Sequence, residues 1–241
     1  MLLPATSSYL STKDAARELG VTPHQVAMLA KTGEINAMKV ANTLLIDPFS
    51  LRQYKQLSCG RGRPLSPQVA WAACWLLSGM EAPWLSYAQR RRLIIKLEDI
   101  TPEDLVWQMR KRSKLRLFRA APRSLPKIRH ELLLSGKSTD RPDIFGMPEN
   151  DYEIEGYASH ERIEKLKETY NLYEDVTGNV LVHTMEGYEP PWPASDVIRS
   201  KGERQLPVAA VAADLSASLD EREAHAGLAA LGILLRGFNT L

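Results

Sequence analysis

The strongest constraint on this chain is a close crossing of two short helices, which residues 11–33 dictate. Ser-Thr-Lys-Asp at positions 11–14 is a helix-start signal, because the first hydroxyl can accept a hydrogen bond from a free backbone amide of the first turn. Gly20 can end that helix in a left-handed turn, and Thr22-Pro23 can begin a second helix. Ala16 is small enough to let the two helices approach, and Val26 can pack between them. The spacing therefore predicts a helix-turn-helix.

An alternating pattern predicts a β-hairpin after the second helix. Met38 and Val40 alternate with polar positions, and Leu44 and Ile46 repeat the alternation beyond a short turn. Asp47-Pro48 then marks the start of a third helix. This order of elements indicates a winged helix-turn-helix, whereas two crossing helices alone would also suit a purely structural unit.

The segment of about residues 9–56, from YLSTKDAARELG to SLRQY, resembles the winged helix-turn-helix of the excisionase and MerR-like group. The resemblance implies that residues 23–32 enter the major groove of DNA while the hairpin approaches the phosphate backbone. This chain has Met28 where the group often has arginine, and Ala41-Asn42 where it often has glycine and arginine. For His24, a surface position without a role stays an alternative. The residues assigned to DNA contact are Thr22, His24, Gln25, Met28, Lys31, Lys39 and Asn42.

Charge is divided unevenly along the chain, although the formal net charge is only +2. Residues 1–135 hold 21 Lys and Arg against 10 Asp and Glu, and residues 136–241 hold 10 against 19. Nine basic residues and no acidic one lie between positions 110 and 129. A basic half of this kind favours a polyanionic partner such as nucleic acid, and a solvated basic face is the alternative.

The middle of the chain combines a basic linker with apolar helices. Residues 59–64, Cys-Gly-Arg-Gly-Arg-Pro, are typical of a flexible linker whose Arg61 and Arg63 can lie in a minor groove, with a plain spacer as the alternative. The helix that Ser66-Pro67 begins is apolar nearly all round, so its two tryptophans are expected in a core. The basic surface expected beyond the linker comprises Arg90, Arg91, Arg110, Lys111, Arg112, Lys114 and Arg116.

The sequence shows no complete catalytic or cofactor motif. Residues 136–139, Gly-Lys-Ser-Thr, end like a phosphate-binding loop, but Glu131 stands where the first glycine belongs, so no nucleotide is expected. Cys59 and Cys74 lack histidines at ligand spacing, so no metal is expected either. His183 lies in a predicted strand, where an isolated histidine is more often structural. The expectation is a protein without cofactor or catalytic residues. An enzyme that acts on nucleic acid is a further hypothesis, and it would need an acid, base or metal cluster.

The acidic half ends in a recognisable pattern, Ala213-Asp214-Leu215 followed by Asp220-x-Arg222-Glu223 and then Gly227. With the strands before it, this pattern resembles the C-terminal part of AbiEi-type antitoxins over about residues 112–236. Those proteins are encoded beside a nucleotidyltransferase toxin and repress their own operon, usually through a different type of winged helix. The resemblance implies that the C-terminal domain neutralises the toxin's effect and places Asp214, Arg222 and Glu223 in it. Helix capping and surface pairing are the alternative roles of these three residues.

These patterns together predict an α+β protein that binds DNA. The expected domains are a winged helix-turn-helix at 1–58, a basic linker at 59–64, a helical segment at 65–112 and a mixed α/β antitoxin domain at 113–241. The expected function is an antitoxin that represses its own toxin–antitoxin operon, and the alternative is an excisionase-like or MerR-like regulator without a toxin. The expected partners are double-stranded operator DNA and a nucleotidyltransferase toxin, countered directly or indirectly, with a homodimer left open. No apolar run is long enough to cross a bilayer, so a cytoplasmic location is expected.

Overall fold

The computed structural model describes residues 9–146, 151–185, 198–200 and 203–239. These residues form a mixed α/β structure of the α+β class, as the sequence predicts. Within the described ranges, every helix is too short or too polar to cross a membrane.

The N-terminal unit (residues 9–58) contains the helices and the hairpin that the sequence predicts. The Ser11 hydroxyl accepts a hydrogen bond from the Asp14 amide at 3.1 Å, and Gly20 adopts a φ of 70° at the end of the first helix. The local signals therefore define the element boundaries. The elements of the unit are β1 (Leu10–Ser11), α1 (Thr12–Leu19), α2 (Pro23–Lys31), β2 (Ala37–Val40), β3 (Thr43–Ile46) and α3 (Pro48–Leu57).

A small core of its own holds the N-terminal unit together. Ala16 and Val26 are buried where α1 and α2 cross, as the spacing requires. Ile35, Ile46 and Leu51 complete the core from the hairpin and from α3. Burying an aliphatic side chain of this size stabilises a fold by about 1.5–3 kcal/mol. The crossing is thus fixed by packing as well as by the helix caps.

The remainder of the described chain, from residue 65 onward, is called the body below and is built on a five-stranded sheet. Its elements are α4 (Pro67–Leu77), α5 (Tyr87–Asp99), α6 (Pro102–Met109), β4 (Lys114–Arg119), α7 (Leu125–Arg129), β5 (Leu133–Leu134), α8 (Pro142–Phe145), β6 (Ile154–Tyr157), α9 (His160–Tyr170), β7 (Tyr173–Glu174), β8 (Val180–Thr184), β9 (Ile198–Ser200), β10 (Glu203–Gln205), α10 (Val208–Ser216) and α11 (Glu221–Phe238). The strand order is β5-β6-β8-β4-β7, with β6 and β8 parallel and the other neighbours antiparallel. Strands β9 and β10 pair separately.

Helices cover both faces of the sheet. Phe118 and Val182 point to the face where α7 and α9 pack. On the other face, α4, α6, α10 and α11 form the largest core, in which Trp71 is fully buried. The two tryptophans of α4 lie in this core, as predicted. The expected boundary between residues 65–112 and 113–241 is therefore not a boundary in the packing, because α4 and α6 share a core with α10 and α11.

The N-terminal unit docks onto the body through α3 and the segment between α2 and β2. Gln53 Nε2 donates a hydrogen bond to the Ala217 carbonyl at 2.8 Å, and Asn36 Nδ2 donates one to the Leu115 carbonyl at 3.0 Å. Glu34 also forms ion pairs with cations of the body. This arrangement leaves the outer face of α2 and the tip of the hairpin exposed.

The structure corrects the expectation of a flexible linker at residues 59–64. The Arg61 amide donates a hydrogen bond to Asp104 Oδ1 at 2.6 Å, and Trp107 Nε1 donates one to the Gly62 carbonyl at 3.0 Å. A methyl group on Gly60 would lie 2.5 Å from Trp107 Cβ, so glycine is needed for this approach. The backbone is held against α6, and its glycines provide close contact rather than flexibility.

Gly227 offers a test of how closely α10 and α11 pack. A methyl group there would lie 2.4 Å from the Ser216 nitrogen and 2.5 Å from the Ala212 carbonyl oxygen. Because backbone atoms cannot move aside as a flexible side chain can, Gly227→Ala should lower the free energy of unfolding by about 1–3 kcal/mol in urea denaturation. Gly232→Ala, in the same helix with no atom closer than 3.5 Å, is the matched control. It should be neutral or stabilising by up to about 1 kcal/mol, and equal losses would contradict the close crossing.

Candidate functional site

One face of α2 is exposed to solvent along its whole length. Val26 turns inward, so His24, Met28 and Lys31 lie on the opposite, exposed side. Met28 is 45% exposed, so an apolar side chain lies among the polar ones. The face is therefore open and amphipathic rather than purely charged.

Two of the predicted DNA-contacting residues also have a role within the helix. The Thr22 hydroxyl accepts a hydrogen bond from the Gln25 amide at 3.3 Å, and Gln25 Oε1 accepts one from the Thr22 amide at 2.8 Å. This reciprocal capping box satisfies free amides at the start of α2. Both residues are exposed, but the Thr22 hydroxyl and Gln25 Oε1 are already engaged in stabilising the helix end.

The hairpin tip of the N-terminal unit is also exposed. Lys39 and Asn42 face solvent on either side of Ala41, whose φ of 51° closes the turn. Within the described residues, neither Lys31 nor Lys39 forms an ion pair with an acidic side chain. The structure thus leaves both ammonium groups available for a partner.

Four further predicted basic residues keep exposed side chains. Arg61 and Arg63 extend from the anchored linker, and Arg90 and Arg91 lie on α5. Within the described ranges, none of the four guanidinium groups forms an ion pair with an acidic side chain. They add cations to the surface at two places outside the N-terminal unit.

Most basic residues of the predicted surface at 110–116 form ion pairs within the protein, which differs from the expected outward-facing basic surface. Arg110 Nε and Lys111 Nζ lie 2.8 and 2.7 Å from the carboxylate of Glu34. Arg116 pairs with Glu174 across the sheet, so only Lys114 of this run is exposed. The reason is that carboxylates from elsewhere in the fold pair with these cations. Two of the three carboxylates, Glu174 and Asp214, come from the acidic half of the chain, and the third is Glu34.

Arg112, the remaining basic residue of that run, is 4% exposed and pairs with the buried carboxylate of Asp214 on α10. Tyr157 donates a hydrogen bond to Asp214 Oδ1 at 3.1 Å, and the hydroxyl of Ser135 donates one to Oδ2. Burial opposes a charge on Arg112, but the carboxylate of Asp214 outweighs it and raises the arginine pKa. Asp214 is therefore an interior residue, so surface pairing, its alternative role, does not describe it.

A second chain of hydrogen bonds lies next to this ion pair. His183 Nε2 lies 2.9 Å from Glu155 Oε1, and His183 Nδ1 lies 3.1 Å from Ser113 Oγ. The ring of Tyr157 stacks on the imidazole with centroids 4.6 Å apart. Burial lowers the pKa of His183, but the carboxylates of Asp214 and Glu155 outweigh burial and raise it. The interior polar cluster is defined below as Arg112, Ser113, Ser135, Glu155, Tyr157, His183 and Asp214.

Strand pairing explains why these residues meet. Tyr157 on β6 lies opposite His183 on β8 in the parallel pair, and Glu155 lies two residues earlier on the same face. Ser113 precedes β4, the antiparallel neighbour of β8 on its other side. The sheet thus collects residues far apart in sequence on the face that α10 covers.

A cavity of about 340 Å³ opens beside the cluster, at the contact between the N-terminal unit and the body. Its volume lies at the lower end of the range of small-molecule sites, about 300–1,000 Å³. Its lining combines apolar side chains, such as Leu57, Val106 and Leu115, with polar ones, and contains more basic than acidic side chains. The N-terminal unit contributes Glu34, Gln53 and Tyr54, and the body contributes Arg110, Lys111, Arg112, Ser113, Lys114, His183 and Asp214.

The remaining residues of the antitoxin-like pattern lie at the start of α11. Asp220 caps this helix by accepting hydrogen bonds from the amides of Arg222 and Glu223 at 2.9 and 3.1 Å. Glu223 accepts a further bond from the Ser218 hydroxyl, and burial raises its pKa. Arg222 is exposed. These two residues are not joined to Asp214 in a single site.

The Gly-Lys-Ser-Thr segment does not form a loop-to-helix phosphate cradle. Residues 136–138 form a single 3-10 turn, and the Ser138 hydroxyl accepts a hydrogen bond from the Glu155 amide at 2.9 Å. Lys137 donates to the carboxylate of Glu153. A methyl group on Gly136 would collide with the carboxylate of Glu155. Carboxylates therefore occupy the surroundings that a phosphate would need.

The described residues contain no group of three or more His, Cys, Asp and Glu side chains placed to hold a metal ion. Comparison of the chain with protein-family models, curated proteins and solved structures finds no match.

Removing one partner of the buried ion pair tests how much the interior depends on it. Arg112→Met would leave the carboxylate of Asp214 buried without its cation. The free energy of unfolding, measured in urea, should fall by about 3–5 kcal/mol. Arg116→Met, at a more exposed ion pair on the following strand β4, is the matched control and should cost about 1 kcal/mol or less. A double Arg112→Met, Asp214→Leu variant should recover part of the loss, and no recovery would show that the effect is not electrostatic.

Proposed function

We propose that the chain binds double-stranded DNA through the outer face of α2 and the tip of the β2–β3 hairpin. The observation that carries this proposal is that one side of the N-terminal unit faces away from the body and is exposed to solvent. The unit docks to the body through α3 and Glu34, and α2 and the hairpin tip keep their cations unpaired among the described residues. The order of helix, turn, helix and hairpin supports a winged helix-turn-helix arrangement.

The chemistry of the exposed face supports this assignment. A helix inserted into the major groove places its first residues against base edges, and hairpin cations neutralise phosphates. His24 and Met28 would face bases, and Lys31 and Lys39 would contact phosphates. Because Gln25 and Thr22 cap the helix, their contribution would be mainly to its position.

We further propose that this DNA-binding chain is an antitoxin that represses its own operon and counters a nucleotidyltransferase toxin. The support is the resemblance of residues 112–236 to AbiEi-type antitoxins, together with the DNA-binding surface proposed above. The second candidate is an excisionase-like or MerR-like regulator of a mobile element, which the N-terminal resemblance favours when taken alone. The neighbouring gene distinguishes the two, since a nucleotidyltransferase fits the first and an integrase the second.

Replacing Lys31 and Lys39 by glutamine tests the DNA surface. Binding of the full chain to its own promoter should weaken, and the slope of log affinity against log salt should shrink by about one for each lysine that contacts a phosphate. Arg123→Gln with Lys127→Gln removes the same charge at two exposed positions of the body and is the control. Equal losses in the two double variants would mean that net charge, and not the α2–hairpin surface, determines binding.

Growth rescue tests the antitoxin proposal separately. Co-expression of the full chain with the product of the adjacent gene should restore growth that this product arrests. The Lys31→Gln, Lys39→Gln variant should still rescue growth from an independent promoter, because the body is unchanged. Full chains are required, since α4 and α6 share a core with α10 and α11. Promoter binding without rescue would leave a DNA-binding regulator and remove the antitoxin role.

A further inference from the structure

Ser113, His183 and Glu155 form a continuous line of hydrogen bonds that reaches the wall of the cavity. The Glu155 carboxylate lies 2.9 Å from His183 Nε2, and Ser113 Oγ lies 3.1 Å from His183 Nδ1. Ser113 and His183 both line the cavity, whereas Glu155 is buried behind them. The side chains thus form a hydrogen-bonded series that runs from a hydroxyl at the cavity wall through an imidazole to a buried carboxylate.

The direction of these hydrogen bonds follows from the carboxylate. The Glu155 carboxylate can only accept a hydrogen bond. The neutral imidazole of His183 therefore carries its proton on Nε2, which donates to Glu155, and Nδ1 is left as an acceptor. The Ser113 hydroxyl then donates to Nδ1. This is the arrangement in which a histidine can take the proton of a serine while a carboxylate stabilises the resulting imidazolium.

We propose that Ser113 is the nucleophile of an acyl-transfer site in this cavity, with His183 as its general base and Glu155 as the positioning residue. The substrate class is a small ester that carries a negative charge. Lys111, which is paired with Glu34, and Lys114 line the same cavity, and their positive charges would attract that negative charge. The proposal does not depend on DNA binding.

The chemical steps balance without any cofactor. Ser113 Oγ forms a bond to the carbonyl carbon, and its proton passes to His183 Nδ1. The ester C–O bond breaks, and the leaving alcohol takes that proton from His183. Water then attacks the acyl-serine, gives a proton to His183, and releases a carboxylic acid as Ser113 Oγ regains the proton.

A fluorophosphonate probe tests the nucleophile without knowledge of the substrate. The serine oxygen forms a bond to phosphorus, fluoride leaves, and the adduct can be located by peptide mass spectrometry. The full-length protein should be labelled at Ser113, and Ser113→Ala should lose the label. Ser58→Ala, at an exposed serine outside the cavity lining, should keep it. Absence of a Ser113 adduct on the folded wild-type chain, or labelling only elsewhere, would overturn the proposal.

The positioning role of Glu155 has its own readout. In Glu155→Gln the labelling rate should fall by about tenfold or more, since the imidazole is no longer held and stabilised as a base. The wild-type rate should rise with pH through the raised pKa of His183, because only the neutral imidazole accepts a proton. The charged and titratable groups facing His183 are Glu155 and Tyr157 of β6, Asp214 of α10 and Arg112 before β4. A pH-independent rate would contradict the assignment of His183, and if Glu155→Gln does not fold, wild-type labelling and its pH profile decide alone.

Discussion

The buried ion pair between Arg112 and Asp214 joins the parts of this fold that sequence keeps far apart. Arg112 lies between α6 and β4, and Asp214 lies in α10 beneath the sheet. The Asp214 carboxylate also accepts hydrogen bonds from Ser135, which follows β5, and from Tyr157 in β6. Taking two charges out of water is costly, so such a pair is tolerated only when the remaining polar atoms find partners. The cluster therefore fixes how the helical layer is placed on the sheet more than it adds stability.

The same pairing changes the meaning of the charge distribution. The basic run at 110–129 suggested an outward-facing polyanion surface, yet much of it pairs inside the protein. Arg116 and Arg119 meet Glu174 and Asp175, which follow α9 in the acidic half. An uneven distribution along the sequence thus becomes a complementary one in space. The cations that stay exposed and unpaired within the described ranges, such as Lys31 and Lys39, are a better guide to a partner than the total charge.

Elements set by short-range interactions were predictable, and contacts set by strand pairing were not. Ser11 and Gly20 delimit α1 through bonds to residues at most four positions away, so their effect is visible in sequence. Neighbouring arginines such as Arg112 and Arg116 look alike, and only the tertiary contact with Asp214 buries the first. His183 and Glu155 meet because β6 and β8 pair in parallel, and nothing local specifies that register. The signal in the sequence for this contact was that each predicted strand has a polar residue, Glu155 or His183, among apolar ones.

The cavity relates the two proposed activities to each other. Its wall is shared between the N-terminal unit, through Glu34 and Tyr54, and the body, through Ser113 and His183. Glu34 is held by Arg110 and Lys111, and despite its burial these cations keep the Glu34 pKa below its usual value. Arg110 in turn lies 3.5 Å from the ring centre of Trp107, the residue that anchors the linker. An anionic molecule in the cavity would compete with Glu34 for these cations, so its occupancy would act directly on the contact that orients α2 relative to the body.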